Sequence, residues 1–296
     1  RIAAVVTATD KASGRGLKIN ESAVKKYAVE HKIPVLQPQS LKDPEFISEL
    51  EKIKADIFIV VAFRMLPEAV WKMPSLGTVN LHASLLPQYR GAAPINWAII
   101  NGEKVTGVTT FLIDKEIDTG KVILQEQIKI QPEDNAGTMH DKLKEVGSKL
   151  LLRTVEAMID GKTELRRQDM LMSPDEVLKP APKLTKELCH IDFRNSDGKK
   201  AVNLIRGLSP YPGAFFEIRK NGEDKAVTVK VFSAEFIPQD NRKPAGSIVS
   251  DGKHYLGITV TDGTVLLKDI QMSGKKRMDI EAFLLGFREP ENHVIV

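Results

Sequence analysis

Asn80 and His82 stand two residues apart at the end of the short β-prone run Val79–His82. Residues two apart in a strand project to the same face. The C-terminal ends of strands are where open α/β sheets gather their sites. An imidazole beside an amide N–H suits proton transfer next to a polarised carbonyl. The following strand candidate ends in the turn 114–120, whose acids Asp114, Glu116 and Asp118 could meet the histidine in space. Spacing alone leaves a second reading open. A histidine at a strand end can be a hydrogen-bonded structural residue, and Asn and Asp at turns commonly serve the local backbone. The sequence holds no P-loop, GxGxxG, nucleophile elbow or zinc spacing, and Gly14-Arg15-Gly16 is too short for a phosphate cradle. Its one cysteine, Cys189, excludes a disulfide framework and a thiolate cluster.

The elements that must carry these residues come from periodicity. The chain has 296 residues, 42 % hydrophobic and 28 % charged, an ordinary globular composition for about two domains. Residues 1–161 alternate apolar β-rich runs with helix-period segments, the pattern of a doubly wound, mostly parallel α/β sheet. Ile2–Thr7 and Ile57–Val61 read as strands buried on both faces. Ser22–Lys32 and Pro44–Lys54 have helical spacing, the second with Asp43 as N-cap. Val108–Ile113 and Val122–Ile130 form two further strands around the Asp118 turn, the second alternating as an edge strand does. Ala136–Ile159 is a long amphipathic helix.

Residues 162–189, with Pro174, Pro180 and Pro182, read as a linker. Residues 190–296 hold short β-like stretches (215–219, 227–232, 246–249, 256–260, 265–270) between Asn-Gly, Asp-Gly and Ser-Gly turns, which predicts a small closed β-barrel. The sequence opens on Arg1 and directly on a strand, so one βα unit is expected to be missing from the front of the doubly wound domain. No apolar run reaches about 18 residues and no charged-then-apolar leader is present, so no membrane contact is expected and a cytoplasmic location is.

The net charge is +4, and residues 1–32 carry seven basic against three acidic side chains. A second basic cluster, Lys275-Lys276-Arg277, falls in the barrel region. Two positive regions on a near-neutral body suit a polyanionic partner, though a solvated face is the plainer reading of either.

The string Asn80-x-His82-x-Ser84-Leu85-Leu86-Pro87 with Asp118 further on resembles the signature of the 10-formyltetrahydrofolate-dependent formyltransferases. The longer run Ser84–Ile95 is similar to the branch of that family that formylates methionyl-tRNA. Gly14-Arg15-Gly16-x-Lys18, Val35–Pro38, Ala62–Pro67, Ala181–Lys183, Ile205–Pro212 and Gly274–Met278 extend the likeness over most of the chain. The resemblance implies a Rossmann-like catalytic domain followed by an OB-like barrel. It implies 10-formyltetrahydrofolate as co-substrate, initiator methionyl-tRNA as partner, no metal, and a monomer. By resemblance, Asn80 donates to the formyl oxygen, His82 moves a proton and Asp118 orients His82. Ser84, Leu85, Leu86 and Pro87 would bind the folate, with Phe63 and Arg64 on its pterin side. Arg15 and Lys18, flanked by Lys25 and Lys26, would meet the tRNA acceptor end, and Lys275, Lys276 and Arg277 the tRNA from the barrel. Formyl-folate enzymes acting on small amines, and a non-catalytic RNA-binding relative, share parts of this pattern.

Overall fold

The computed structural model describes residues 1–13, 18–62, 64–239 and 243–296, with 11–13 and 18–20 described by backbone alone. Arg15 and Phe63 therefore lie outside the described residues, and Lys18 is known only as backbone.

The first domain runs β1 (Val5–Val6), β2 (Lys11–Ser13), β3 (Lys18–Asn20), α1 (Ala23–Glu30), β4 (Val35–Leu36), α2 (Pro44–Ile53), β5 (Phe58–Val61), α3 (Glu68–Trp71), β6 (Thr78–His82), α4 (Pro94–Ile100), β7 (Val105–Leu112), β8 (Val122–Lys129) and α5 (Ala136–Ile159). Local chemistry sets the helix ends. Asp43 caps α2 by accepting the Glu45 N–H at 3.0 Å, with Pro44 in the first turn. Asn135 and Thr138 cap α5 reciprocally, each side chain accepting the other's backbone N–H at 3.0 Å.

The sheet expected to be mostly parallel is mixed. β1 pairs β4 and β5 pairs β6 in parallel, whereas β6–β7 and β7–β8 are antiparallel, in the order β5-β6-β7-β8. The nine residues from 113 to 121 that join β7 to β8 are too few for the crossover a parallel pair needs. β8 lies at the edge, as its alternation predicts. Among the described residues no strand pairs with the other edge of β1 or of β5. Ile59 and Val61 are exposed, against the expectation of burial on both faces, because no described element covers that face of β5. α5 packs Met139, Leu143 and Leu150 onto Val108 of β7, forming the core behind the site.

The second domain holds α6 (Gly198–Leu208), β9 (Ala214–Lys220), β10 (Val227–Pro238), β11 (Ile248–Ser250), β12 (Leu256–Val260), β13 (Gly263–Met272), β14 (Met278–Asp279), α7 (Ile280–Gly286) and β15 (His293–Ile295). All of its ladders are antiparallel, in the order β11-β12-β13-β10-β9-β15, with β14 on β13. The end strands β11 and β15 come into contact, so the barrel is nearly closed. The α6 residues Ala201, Ile205 and Leu208 share its core with Phe216, Val231 and Leu267. Neither α6 nor α7 was expected. The signal for α6 lies in an Asp197 N-cap followed by apolar residues at helical spacing.

α6 also joins the domains. Asn96 of α4 donates to the Gly207 carbonyl at 2.7 Å, and half-buried Arg206 donates to the carbonyls of Gln131 and Asp134, both at 2.8 Å. Residues 162–189 are not a free linker. Val122 and Arg166 exchange two backbone hydrogen bonds, and further on the segment runs beside the loop 88–93. The Tyr89 N–H donates to the Lys179 carbonyl at 2.7 Å, that of Ala181 to the Arg90 carbonyl at 2.8 Å, and that of Ala92 to the Ala181 carbonyl at 2.8 Å. Such docking is made by backbone groups, so it needs none of the apolar residues whose scarcity suggested a linker.

Candidate active site

β6 sits between β5 and β7, with Asn80 opposite Phe111 and His82 opposite Thr109. Thr78, Asn80 and His82 share one face, which puts the amide and the imidazole about 7 Å apart along the strand. His82 is buried at 7 % exposure. Its Nε2 lies 2.9 Å from the Tyr89 carbonyl, and its Nδ1 lies 3.8 Å from Asp118 Oδ2. A carbonyl only accepts, so Nε2 carries a hydrogen. The neutral ring then presents the Nδ1 lone pair towards the Asp118 carboxylate, and the protonated ring presents an N–H there. Nδ1 is the ring nitrogen not tied to the Tyr89 carbonyl. Asn80 Oδ1 is buried, and among the described residues no group donates to it. A buried polar atom of this kind is ordinarily paired.

Asp118 adopts φ +55°, a left-handed conformation within the turn. Its Oδ2 accepts the Gly91 N–H at 3.0 Å, and the carbonyls of Asp118 and Gly120 accept from Gln168. Two glycines are required by space. A Cβ on Gly120 would stand 1.7 Å from the Leu112 carbonyl oxygen, and one on Gly91, at φ +124°, would stand 2.5 Å from that of Ala181.

The segment Ser84–Pro87 follows β6 and is held from below by Thr109. The Thr109 hydroxyl donates to the Ser84 carbonyl at 2.6 Å and accepts the Leu86 N–H at 3.1 Å. Gln125 of β8 donates to the Leu86 carbonyl at 2.8 Å. Ser84 spends its hydroxyl on the Gln88 carbonyl at 2.6 Å, and Leu86 is buried with Phe111 and Val122. The Ser84 hydroxyl and carbonyl and both backbone groups of Leu86 are therefore committed within the protein, while Leu85 and Pro87 complete the turn. Tyr89, which sets the His82 tautomer, is fixed in turn. Its hydroxyl donates to Glu103 Oε1 at 2.5 Å and accepts from Asn101, and Lys179 pairs with the same Glu103 oxygen at 2.6 Å. Burial first, then the Glu103 carboxylate, push the phenol well above its ordinary range, so it stays a donor. Thr109, Gln125, Tyr89 and Gln168 were all missed by sequence reasoning.

The predicted cations divide. Lys275 and Lys276 are exposed on the turn between β13 and β14. Arg277, expected beside them to bind tRNA, forks onto Asp269 at 2.6–3.0 Å and stacks its guanidinium 4.1 Å from the Phe232 ring centre. The local carboxylate already offsets its charge. Lys25 is likewise committed, to Asp10 and to Glu21. Arg64 donates to the carbonyls of Pro38 and Gln39 at 3.2 and 3.1 Å. Among the described residues no group of three or more His, Cys, Asp or Glu side chains is placed to hold a metal, and no helix is long and apolar enough to cross a membrane.

Comparison with known proteins agrees with this geometry. The formyl transferase family model matches residues 1–155, and the formyl transferase C-terminal domain model matches residues 183–288. The methionyl-tRNA formyltransferase of Bacteroides fragilis is 52 % identical over 290 residues, covering 98 % of this chain and 89 % of the relative. That of Flavobacterium johnsoniae is 47 % identical over 285 residues, covering 96 % and 88 %. Among solved structures, HypX from Aquifex aeolicus in complex with tetrahydrofolic acid superposes with a TM-score of 0.60 at 22 % identity, over 88 % of this chain and 43 % of that one. An amide, an imidazole and a carboxylate gathered at one strand end, on a chain matched in both its domains, place this protein in the formyltransferase family.

Proposed function

We propose that this chain transfers the formyl group of 10-formyltetrahydrofolate to the free α-amino group of methionine carried on initiator tRNA. The amine attacks the formyl carbon and a new C–N bond forms through a tetrahedral intermediate. The bond from that carbon to N10 then breaks, and the proton lost by the amine ends on N10. Neither a metal nor a covalent enzyme adduct is required.

Asn80 donates to the formyl oxygen as negative charge develops on it, an interaction worth about 3–4 kcal/mol where such donors have been removed elsewhere. His82 acts through Nδ1, since Nε2 is tied to the Tyr89 carbonyl. It takes the amine's proton and delivers it to N10, a role typically worth about 10²–10⁴ in rate. Asp118 faces that nitrogen and stabilises the imidazolium. The Ser84–Pro87 turn meets the folate through the half-buried Leu85 side chain and the backbone groups that Thr109 and Gln125 leave open. Arg15, Lys18, Lys275 and Lys276 meet tRNA phosphates.

One observation carries the reading. His82 and Asp118, 36 residues apart in sequence, lie 3.8 Å apart beside Asn80, with one imidazole nitrogen fixed and the other left to exchange a proton. The near full-length likeness to methionyl-tRNA formyltransferases supports the choice of acceptor. The test is a substrate panel. The protein is given 10-formyltetrahydrofolate with methionyl initiator tRNA, methionyl elongator tRNA, glycinamide ribonucleotide or an amino-sugar nucleotide. Formylation that strongly favours the first supports the proposal. Preference for a small amine, or folded protein that formylates none of them, overturns it.

A further inference from the structure

We propose that Gln168, in the segment sequence reasoning took for a linker, is a positioning residue for Asp118; this deepens the reading of the site given above and rests on it. Gln168 is 4 % exposed, and its amide uses its whole hydrogen-bonding capacity. Nε2 donates to the carbonyls of Asp118 at 2.8 Å and Gly120 at 2.9 Å, while Oε1 accepts from Arg90 Nε at 3.0 Å and Nη2 at 2.6 Å.

These bonds form a closed ring. Arg90 precedes Gly91, whose N–H holds the Asp118 carboxylate at 3.0 Å, and Arg90 itself holds the Gln168 amide that holds the Asp118 carbonyl. Residues 114–117 of the same turn are exposed, so Asp118 gains little positional accuracy from its own loop. With one end of Asp118 tied to Gly91 and the other to Gln168, the 3.8 Å gap to His82 Nδ1 is set from both sides. A fully satisfied buried amide rigidifies what it links.

Gln168→Glu tests this, because it keeps the length and the Arg90 acceptors but removes both N–H donors. Displacing a catalytic group by about 1 Å costs up to about a hundredfold in rate, so kcat is expected to fall by about tenfold to a hundredfold with KM for both substrates nearly unchanged. The effect must pass through Asp118. In an Asp118→Ala background, Gln168→Glu is expected to change kcat by less than about twofold, since residues that act as a unit are not additive. Gln168→Met repeats the loss of donors without adding charge.

Near-normal kcat in Gln168→Glu, while Asp118→Ala loses at least about tenfold, overturns the proposal and leaves the site reading standing. Equal losses in both backgrounds, or failure of both Gln168 variants to fold, assign these bonds to stability alone and also overturn it. Near-normal turnover of Asp118→Ala removes the site reading itself.

Discussion

Replacing Asn80 by leucine is expected to move stability and activity in opposite directions. The Asn80 amide oxygen is buried and no described group donates to it. Leaving such an acceptor unpaired costs about 1–3 kcal/mol, and leucine has nearly the same shape with no polar atom to desolvate. Asn80 is half-buried between the ladders of β5 and β7, so the lower end applies. A gain of about 1 kcal/mol follows, or about 2–4 °C in Tm for a domain of this size. The same substitution removes the donor to the developing oxyanion, which corresponds to about 10²–10³ in kcat. Two assays suffice: thermal unfolding followed by circular dichroism, and single-turnover formylation of methionyl initiator tRNA at saturating folate. A variant less stable than the parent by about 1 kcal/mol would show that the amide oxygen is satisfied in the resting protein. A kcat within about tenfold of the parent would show that Asn80 does not stabilise the oxyanion.

Affinity for methionyl initiator tRNA is expected to fall linearly with salt on logarithmic axes. Filter binding should show the slope lessened by about 0.9 for each of Lys275→Ala and Lys276→Ala. Arg277→Ala should leave the slope almost unchanged, since Asp269 already neutralises that guanidinium. In the barrel, the backbone N–H groups of Lys253, His254 and Tyr255 outweigh burial and hold the Asp251 carboxyl at about 2. A carboxylate depressed in this way stabilises the fold above the unfolded value near 3.8, and that contribution is lost as pH falls through about 2. An NMR titration should place the Asp251 midpoint near 2, and Asp251→Asn should flatten the acid limb of the unfolding curve. A midpoint near 4 would count against the loop geometry. Arg206→Ala should destabilise the junction of the domains by about 2 kcal/mol, from the two carbonyls it leaves without their charged donor. Denaturant unfolding should then separate into two transitions, and an unchanged single transition would mean the domains are coupled elsewhere.

The parts of this molecule that repeat were readable before the structure. α5 begins at Ala136 and ends at Ile159 as its apolar spacing predicts, because the Asn135–Thr138 cap and the Asp160-Gly161 stop are local chemistry. β12 matches to the residue, each of its five positions being buried. Asn80 and His82 stood out by type and by a spacing that a strand converts into a shared face, whereas Asp118 was picked from the acids of its turn by the resemblance alone. The ring around Asp118 left no such trace. Gln168 reaches carbonyls 48 and 50 residues away, and the Tyr89 carbonyl is a backbone group that any residue type would supply. Backbone docking has no compositional signature either, so the proline-rich composition of 162–189 does not reveal that the segment runs beside the loop 88–93. Arg277 and Lys25 show the same limit for charge. Counting cations along a sequence does not reveal which of them already face a carboxylate.

The most direct measurement is the single-turnover rate of formyl transfer to methionyl initiator tRNA by His82→Ala, with circular dichroism confirming the fold. A fall of at least about a hundredfold, at unchanged affinity for the tRNA, is the expected result if the imidazole facing Asp118 carries the proton. A folded variant that transfers the formyl group at close to the parent rate would contradict that role and, with it, the chemistry assigned to this strand end.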